Sequence, residues 1–201
     1  MKKAEKMVKS KKYQQIIDTA HDLFWHHGIR RVSVEEICQT AGVSKMTFYK
    51  YFKNKIDLAL FILNKTFLEG VAKYKSIMAQ NIPYSEKAKE MIQMKLEQTK
   101  DISQEMLKDW MQGSIPGVVE LMERMKQENF KLLLDDMIAA QNKGEIRKDI
   151  NPQFLLYFLN KMIEIAGDEQ MINMYDSTQS LTAELINLFF YGILTKKSED
   201  K

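Results

Sequence analysis

A short segment near the amino end constrains the fold of this chain more than any other part of its sequence. Ser33 stands three residues before Glu36, which is the spacing of a capping box that satisfies two backbone N–H groups at a helix start. Gly42 then permits a tight left-handed turn, and Ser44 can cap a further helix that begins at Lys45. The segment therefore predicts two short helices joined by a glycine-containing turn, which is the arrangement of a helix-turn-helix.

A preceding helix is predicted over residues 13–27, where apolar side chains recur at helical spacing and Gly28 ends the run. In the second helix of the turn motif, Phe48 and Phe52 lie four apart and are expected to pack against the first two helices. The opposite face mixes cations, hydroxyls and one flexible apolar group, which suits phosphates and base edges. Simple packing is the alternative for the aromatic residues, and for Tyr51 the sequence leaves both open.

A recognition helix presents its N-terminal residues to the major groove. The residues expected nearest the bases are Lys45, Met46, Thr47 and Lys50. Phosphate contacts are expected from the hydroxyl and ammonium groups of Ser33, Tyr49, Tyr51, Lys53 and Lys55.

The charge distribution favours a polyanionic partner for this end of the chain. Residues 1–56 carry 12 Lys and Arg against 5 Asp and Glu, whereas residues 57–201 carry 18 against 22. Basic side chains gain affinity for a phosphate backbone by releasing its counterions. A solvated basic arm explains the charge alone equally well, so the interpretation depends on the motif as well.

These residues resemble a known family. The stretch from Ala41 to Lys55 is similar to the DNA-binding domain of TetR-type (TetR/AcrR) bacterial transcriptional regulators, and the similarity covers about residues 12–60. The resemblance implies a set of side chains that face DNA, namely Lys45, Thr47, Tyr49, Tyr51 and Lys55. It also implies that two residues at the start of the first helix of the turn motif, Ser33 and Val34, lie near the DNA backbone. Met46 and Lys50 stand at variable positions and are expected to set the operator.

The rest of the chain also shows helical periodicity, with only 8 Gly and 3 Pro in 201 residues. Further helices are predicted at about 54–79, 85–102, 103–112, 116–143, 152–163 and 178–195, and the segment 116–143 is either one helix or two. No strand alternation is found. The predicted fold class is therefore all-α, with a three-helix DNA-binding domain over residues 1–56 and a larger helical domain over residues 57–201. The resemblance implies that the larger domain binds an effector and dimerises.

The last two predicted helices are apolar on more than one face. They either occupy the centre of a large core or meet a second copy of the chain in a bundle. TetR-type regulators use these helices as a four-helix dimer interface, so the resemblance implies a homodimer. The predicted interface residues are Leu155, Phe158, Leu159, Met162, Leu185, Leu188 and Phe189. A dimer would place two recognition helices about 34 Å apart, which matches successive major grooves of a near-palindromic duplex.

Most of the 14 methionines lie at or after Met78. They could fill an ordinary core, because the thioether side chain is a flexible filler. The alternative is a pliable apolar pocket with a few polar anchors, which the resemblance favours because members of the family commonly bind a small effector in this region. The candidate ligand-binding residues are Met91, Met94, Met106, Trp110, Met111, Met122, Met125, Met137 and Tyr157, with Trp110 as the expected wall residue.

Other classes of protein are disfavoured by the residues themselves. His26 and His27 point in different directions on a helix, and no Cys or carboxylate follows at ligand spacing, so no metal is expected. The sequence has no phosphate-binding loop, nucleophile elbow or paired carboxylates, so neither an enzyme nor a cofactor is expected. Cys38 is the only cysteine, which favours a reducing compartment; it is expected to be packed, with a redox role left open.

The basic stretch from Lys2 to Lys12 has no apolar segment after it, and no apolar run approaches the roughly 20 residues of a spanning helix. A cytoplasmic protein is therefore expected.

Together the patterns predict a transcriptional regulator, most simply a repressor released from its operator by a small apolar effector. The alternative is a DNA-bound protein-interaction factor without such an effector. An enzyme on a helical scaffold is a third class, which would need convergent polar groups in a cleft.

Overall fold

The computed structural model describes residues 10–111, 115 and 117–194 of the chain. The helices within these residues are α1 (Lys11–His27), α2 (Val34–Thr40), α3 (Lys45–Tyr51), α4 (Lys55–Met78), α5 (Tyr84–Thr99), α6 (Gln104–Met111), α7 (Val118–Asn142), α8 (Pro152–Ala166), α9 (Glu169–Ile172) and α10 (Thr178–Ile193). No described residue belongs to a strand, and one isolated antiparallel bridge pairs Ile146 with Leu194. The all-α class expected from the sequence is confirmed.

The three N-terminal helices pack around a small core of aliphatic and aromatic side chains. α1 buries Ile16, Ala20 and Phe24 and packs against α2 and α3. Phe48 of α3 is fully buried, and its ring lies 5.9 Å from the ring of Phe52. The expected inward face of α3 is confirmed. Phe52 is the C-cap residue of this helix.

Both N-caps expected in the turn motif are present. Ser33 Oγ accepts a hydrogen bond from the Glu36 N–H at 3.0 Å, and the Glu36 carboxylate accepts one from the Ser33 N–H at 3.4 Å. Ser44 Oγ accepts from the Thr47 N–H at 3.1 Å. Gly42 has a φ of +63°, a conformation that L side chains rarely adopt. Turn chemistry therefore decides where α2 ends and α3 begins.

The chain divides into two compact units, one of residues 1–68 and 101–122 and the other of residues 69–100 and 123–201. The first unit thus includes α6, which the sequence analysis assigned to the C-terminal domain. The physical reason is hydrogen bonding to α1 and the loop after it. The Ser103 N–H donates to the Trp25 carbonyl at 2.9 Å, and the Asp109 carboxylate accepts from the Arg30 N–H at 3.0 Å. The functional boundary between residues 56 and 57 stays a prediction.

The second unit has a hydrophobic core of its own. α10 packs against α5 and α8, and α9 packs against α8 and α10. The buried side chains of this core include Met91, Met94, Met137, Leu155 and Phe189. Methionine from α5 and α7 thus meets aliphatic and aromatic residues from α8 and α10.

Three local features of the second half bear on the sequence patterns. α7 is one continuous helix, where the sequence left one helix or two open. Asn151 Oδ1 accepts from the Gln153 N–H at 2.8 Å, so the expected cap before Pro152 is confirmed. The short helix α9 was missed, because four residues are too few to show periodicity; it begins where the Asp168 carboxylate accepts two backbone N–H groups.

Among the helices that the structure describes, none is both long and apolar enough to cross a membrane.

Cys38 is buried in α2, as expected, and burial raises the pKa of its thiol. A raised pKa leaves less of the reactive thiolate at neutral pH.

Truncation of Phe48 tests the core of the first unit. We expect Phe48→Ala to lower the free energy of unfolding by about 3–5 kcal/mol, because it removes a fully buried ring and leaves a cavity. Met46→Ala on the same helix is the matched control and should change stability by less than about 0.5 kcal/mol, since Met46 is exposed. Thermal unfolding followed by circular dichroism measures both, and equal losses would contradict the packing described for α3.

Candidate nucleic-acid interface

One face of α3 is exposed while the opposite face is buried. Met46 is 83% exposed and Tyr49 is 54% exposed. Lys45 and Lys50 are exposed beside them, and Thr47 is half-buried at the edge. The structure therefore brings the predicted base-reading residues together on one arc of a short helix whose other side is held by the core.

An ion pair links the start of this arc to α2. Lys45 Nζ lies 3.1 Å from Glu35 Oε2, and both side chains are exposed. An exposed pair of this kind contributes about 0–1 kcal/mol. Lys45 can therefore exchange the Glu35 carboxylate for a phosphate or a base edge at small cost.

Ser33 and Val34 lie at the N-terminus of α2, where the resemblance places contacts to the DNA backbone. Ser33 is exposed, and its Oγ serves as an acceptor in the capping box. The hydroxyl hydrogen can still donate to a phosphate oxygen, because a serine hydroxyl both donates and accepts. Val34 is half-buried. The contacts of these two residues with DNA stay predictions.

Tyr51 packs against α1, which is one of the two possibilities that the sequence left open. Its hydroxyl donates to Ser10 Oγ at 3.1 Å, and its ring meets the Tyr13 ring edge to face at a centroid distance of 5.3 Å. Lys50 Nζ lies 5.9 Å from the centroid of the Tyr51 ring. Packing thus accounts for the ring of Tyr51, and a phosphate contact from its hydroxyl stays a prediction.

Lys55 holds the loop between α1 and α2. Its Nζ donates to the carbonyl oxygens of Arg30, at 2.9 Å, and Val32, at 2.7 Å. Burial lowers the pKa of Lys55, and the nearby Asp109 carboxylate partly opposes that shift. Because an ammonium group has three N–H donors, the predicted phosphate contact would use the third.

Asp109 of α6 supports the same loop, and sequence reasoning missed it. Its carboxylate is buried, accepts from the Arg30 backbone N–H at 3.0 Å and lies 3.4 Å from Arg30 Nε. Gly28 stands beside it with a φ of +78°, and a Cβ there would lie 2.9 Å from Asp109 Oδ2. The available signal was an acidic residue three positions after Met106, on the apolar face of α6.

The histidines at the end of α1 take part in local contacts. The His21 ring stacks on the Trp25 ring at 4.2 Å, and His26 Nδ1 donates to the Asp22 carbonyl oxygen at 2.7 Å. Within residues 10–111, 115 and 117–194, no group of three or more His, Cys, Asp or Glu side chains could hold a metal ion.

The predicted ligand-binding residues fall in both units. In the first unit, Met106 is fully buried, Met122 is half-buried, and the Trp110 ring meets the Trp25 ring edge to face at 5.8 Å. Of the predicted set, the methionines buried in the second unit are Met91, Met94, Met125 and Met137. Tyr157 is exposed, and the side chain of Met111 lies outside the described residues. The ligand-binding role of this set stays a prediction.

The predicted dimer residues on α8 and α10 differ in exposure. Those buried in the core of a single copy are Leu155, Met162 and Phe189. Those partly buried against that core are Phe158, Leu159 and Leu185. Leu188 is 63% exposed. The exposed apolar side chains on the same two helices that were not predicted for the interface are Phe154, Tyr157, Ile163 and Tyr191.

Residues 16–61 match the family described as bacterial regulatory proteins, tetR family. The chain is similar to the fatty acid metabolism regulator protein of Bacillus subtilis (strain 168), with 37% identity over 84 residues that cover 42% of this chain and 41% of that protein. It is also similar to the HTH-type transcriptional regulator RutR of Escherichia coli (strain K12), with 29% identity over 153 residues that cover 75% of this chain and 71% of RutR. The matched segment thus spans less than half of the length of the first relative.

Two solved structures share the fold over most of the chain. The regulatory protein TetR from Rhodobacter sphaeroides superimposes with a TM-score of 0.74 at 18% identity, covering 92% of this chain and 100% of that chain. FadR from Bacillus subtilis, solved in complex with stearoyl-CoA, superimposes with a TM-score of 0.67 at 20% identity, covering 90% and 99%. The likeness of fold therefore extends well beyond residues 16–61.

Substitution of two lysines tests the separation of base and backbone contacts. We expect Lys50→Ala to weaken binding by about 1–3 kcal/mol and to relax the preference at one base pair, because its exposed ammonium group faces away from the core on α3. Lys55→Ala should weaken binding to all duplexes alike and reduce the salt slope by about one. Competition binding against single base-pair variants, repeated over a salt series, measures both effects.

Lys53→Ala is the matched control for Lys55. Both variants remove one cation near the end of α3, but only Lys55 Nζ donates to the Arg30 and Val32 carbonyls. Lys55→Ala should therefore also lower the melting temperature, whereas Lys53→Ala should change only the salt slope. Identical sequence profiles for the Lys50 and Lys55 variants would show that the assignment of their roles is wrong.

Proposed function

We propose that this chain, which belongs to the tetR family of bacterial regulatory proteins, is a homodimeric repressor that a small apolar effector releases from its operator. The resemblance identified on the stretch from Ala41 to Lys55 is confirmed by the family match and by the relatives described as HTH-type transcriptional regulators. Family membership and these relatives support a transcriptional regulator rather than an enzyme. The repressor role, the dimer, the effector and a cytoplasmic location are our proposals.

The observation that carries the proposal is the exposed arc of α3. Cations, hydroxyls and Met46 share this arc, and the buried Phe48 and the Ser44 cap hold the helix that presents them. A short rigid helix with donors and one apolar group can read the donor and acceptor pattern of a major groove. Lysines beside it supply the salt-dependent part of the affinity.

The exposed apolar side chains of α8 and α10 support a homodimer. Phe154 and Tyr157 of α8 and Leu188 and Tyr191 of α10 expose large apolar surfaces. Such surfaces are stabilised by burial at roughly 25 cal/mol per Å² of apolar area. We propose a second copy of the chain as the occupant, because a dimer also supplies the second recognition helix that a near-palindromic site requires.

An effector would act by a population shift. It would bind better to a dimer whose two α3 helices are spaced wrongly for the operator, and this difference in affinity would release the DNA. We propose that α4 transmits the effect of the effector to the DNA-binding helices. Its residues up to Leu68 belong to the first unit, and its residues from Glu69 belong to the second. The complex of FadR with stearoyl-CoA supports a small-molecule effector for this fold without identifying the one used here.

Titration calorimetry tests the proposed coupling between effector and operator. Compounds that raise the melting temperature of the protein are titrated into the protein alone and into the protein saturated with an operator selected from a random duplex pool. We expect the operator to weaken effector binding by about 5–150-fold, which corresponds to the usual 1–3 kcal/mol of coupling. An effector affinity that the operator leaves unchanged would refute release by this mechanism.

A charge on the α8–α10 surface tests the dimer. We expect Leu188→Glu to convert the protein to a monomer in sedimentation velocity and to weaken operator binding at least tenfold, because it places a carboxylate in the proposed apolar interface. Leu68→Glu is the control, since Leu68 is also exposed and apolar but lies on α4. A wild-type protein that sediments as a monomer and shows no salt-sensitive binding to duplex DNA would contradict the proposed function.

A further inference from the structure

Tyr84, the first residue of α5, has a buried polar group that nothing in the structure satisfies. The side chain is 2% exposed, and its hydroxyl has no hydrogen-bond partner. Its backbone N–H is satisfied by Glu145 Oε1 at 3.2 Å, so the orphaned group is the phenol alone. Buried polar atoms are nearly always paired, and an exception calls for an explanation such as a water or a ligand that completes the site.

A second polar group lies in the same core. The Tyr74 hydroxyl donates to Asp136 Oδ2 at 2.7 Å, and Tyr74 and Tyr84 both belong to the buried cluster of the second unit. Burial and the Asp136 carboxylate raise the pKa of both tyrosines, so that both hydroxyls remain protonated at neutral pH. The Tyr74 hydroxyl is thus the partner of Asp136, and no cation of the described residues lies within ion-pair distance of its carboxylate.

The surroundings of these polar groups are apolar and adaptable. Met91, Met94 and Met137 are buried in the same cluster, and Met78 packs against it. Methionine has three rotatable bonds and a polarisable sulfur, so a methionine-rich core can repack around a guest molecule. Ligand sites in proteins commonly combine such an apolar lining with a few placed polar groups.

We propose that Tyr84, Tyr74 and Asp136 form the polar anchor of the effector site and select an apolar molecule that carries a protonated amine. This rests on the proposed function, in which a small apolar effector binds the C-terminal part of the chain. An ammonium group donates to Asp136 and to the oxygen of Tyr84, and it supplies the missing positive charge. A carboxylate or phosphate head group meets the Asp136 charge and is rejected.

The test uses three compounds with one body and different head groups: 2-phenylethylamine, 2-phenylethanol and phenylacetate. Calorimetry on the full-length protein should give at least tenfold tighter binding for the amine than for the alcohol or the acid. Asp136→Asn, which keeps an acceptor for Tyr74, should remove the preference for the amine over the alcohol. Equal affinities for the three compounds, or no binding of the amine, would overturn the proposal.

Tyr84→Phe separates a ligand anchor from a merely structural tyrosine. Because the Tyr84 hydroxyl has no partner, its removal should leave the melting temperature unchanged or higher, yet weaken amine binding at least tenfold. Tyr175→Phe is the matched control in the same unit, since its hydroxyl donates to the exposed Glu184 and should not affect the amine. Amine binding that survives both Tyr84→Phe and Asp136→Asn would place the amine elsewhere and overturn the proposal.

Operator binding, measured on the same samples, distinguishes this inference from the proposed function. Salt-dependent operator binding without a preference for the amine would overturn the inference but leave the proposed function intact. Selection of the amine through Asp136 and Tyr84, with no change in operator binding, would support the proposed amine site but contradict release of the operator by the effector.

Discussion

The loop between α1 and α2 is the part of the first unit on which the position of α2 and α3 depends. Its backbone is satisfied from two sides: Lys55 donates to the carbonyls of Arg30 and Val32, and Asp109 accepts from the Arg30 N–H. Buried backbone groups must find partners, and a loop has no neighbouring turn to supply them. Side chains from α4 and α6 therefore satisfy the backbone groups of this loop. The loop is held in place, so α2 begins at a defined residue.

The two units use different kinds of core. In the first unit, rings such as Phe24 and Phe48 are fully buried against short, capped helices, which favours one fixed arrangement of α3. In the second unit, methionines share the core with the hydrogen-bonded pair of Tyr74 and Asp136. Rigid packing suits the proposed duplex-binding surface, and flexible side chains suit the proposed effector site.

Local chemistry explains why some features were predictable. The capping box at Ser33, the left-handed Gly42 and the cap at Ser44 act within four residues, so their pattern is visible in the sequence and recurs in the structure. α9 was missed because its four residues span only about one helical turn, so no apolar spacing can recur within it. On α8 and α10, apolar residues occur on more than one face, so periodicity could not say that Leu155 is buried and Phe154 exposed.

The sequence by itself determined the all-α class, the limits of the turn motif and the exposed arc of α3, because these follow from contacts between residues a few positions apart. Only the tertiary structure decided that α6 joins the first unit, that Asp109 supports a loop 79 positions away, and that the Tyr84 hydroxyl is left without a partner. Such contacts depend on where distant segments pack, and neither helical spacing nor capping carries information about that placement.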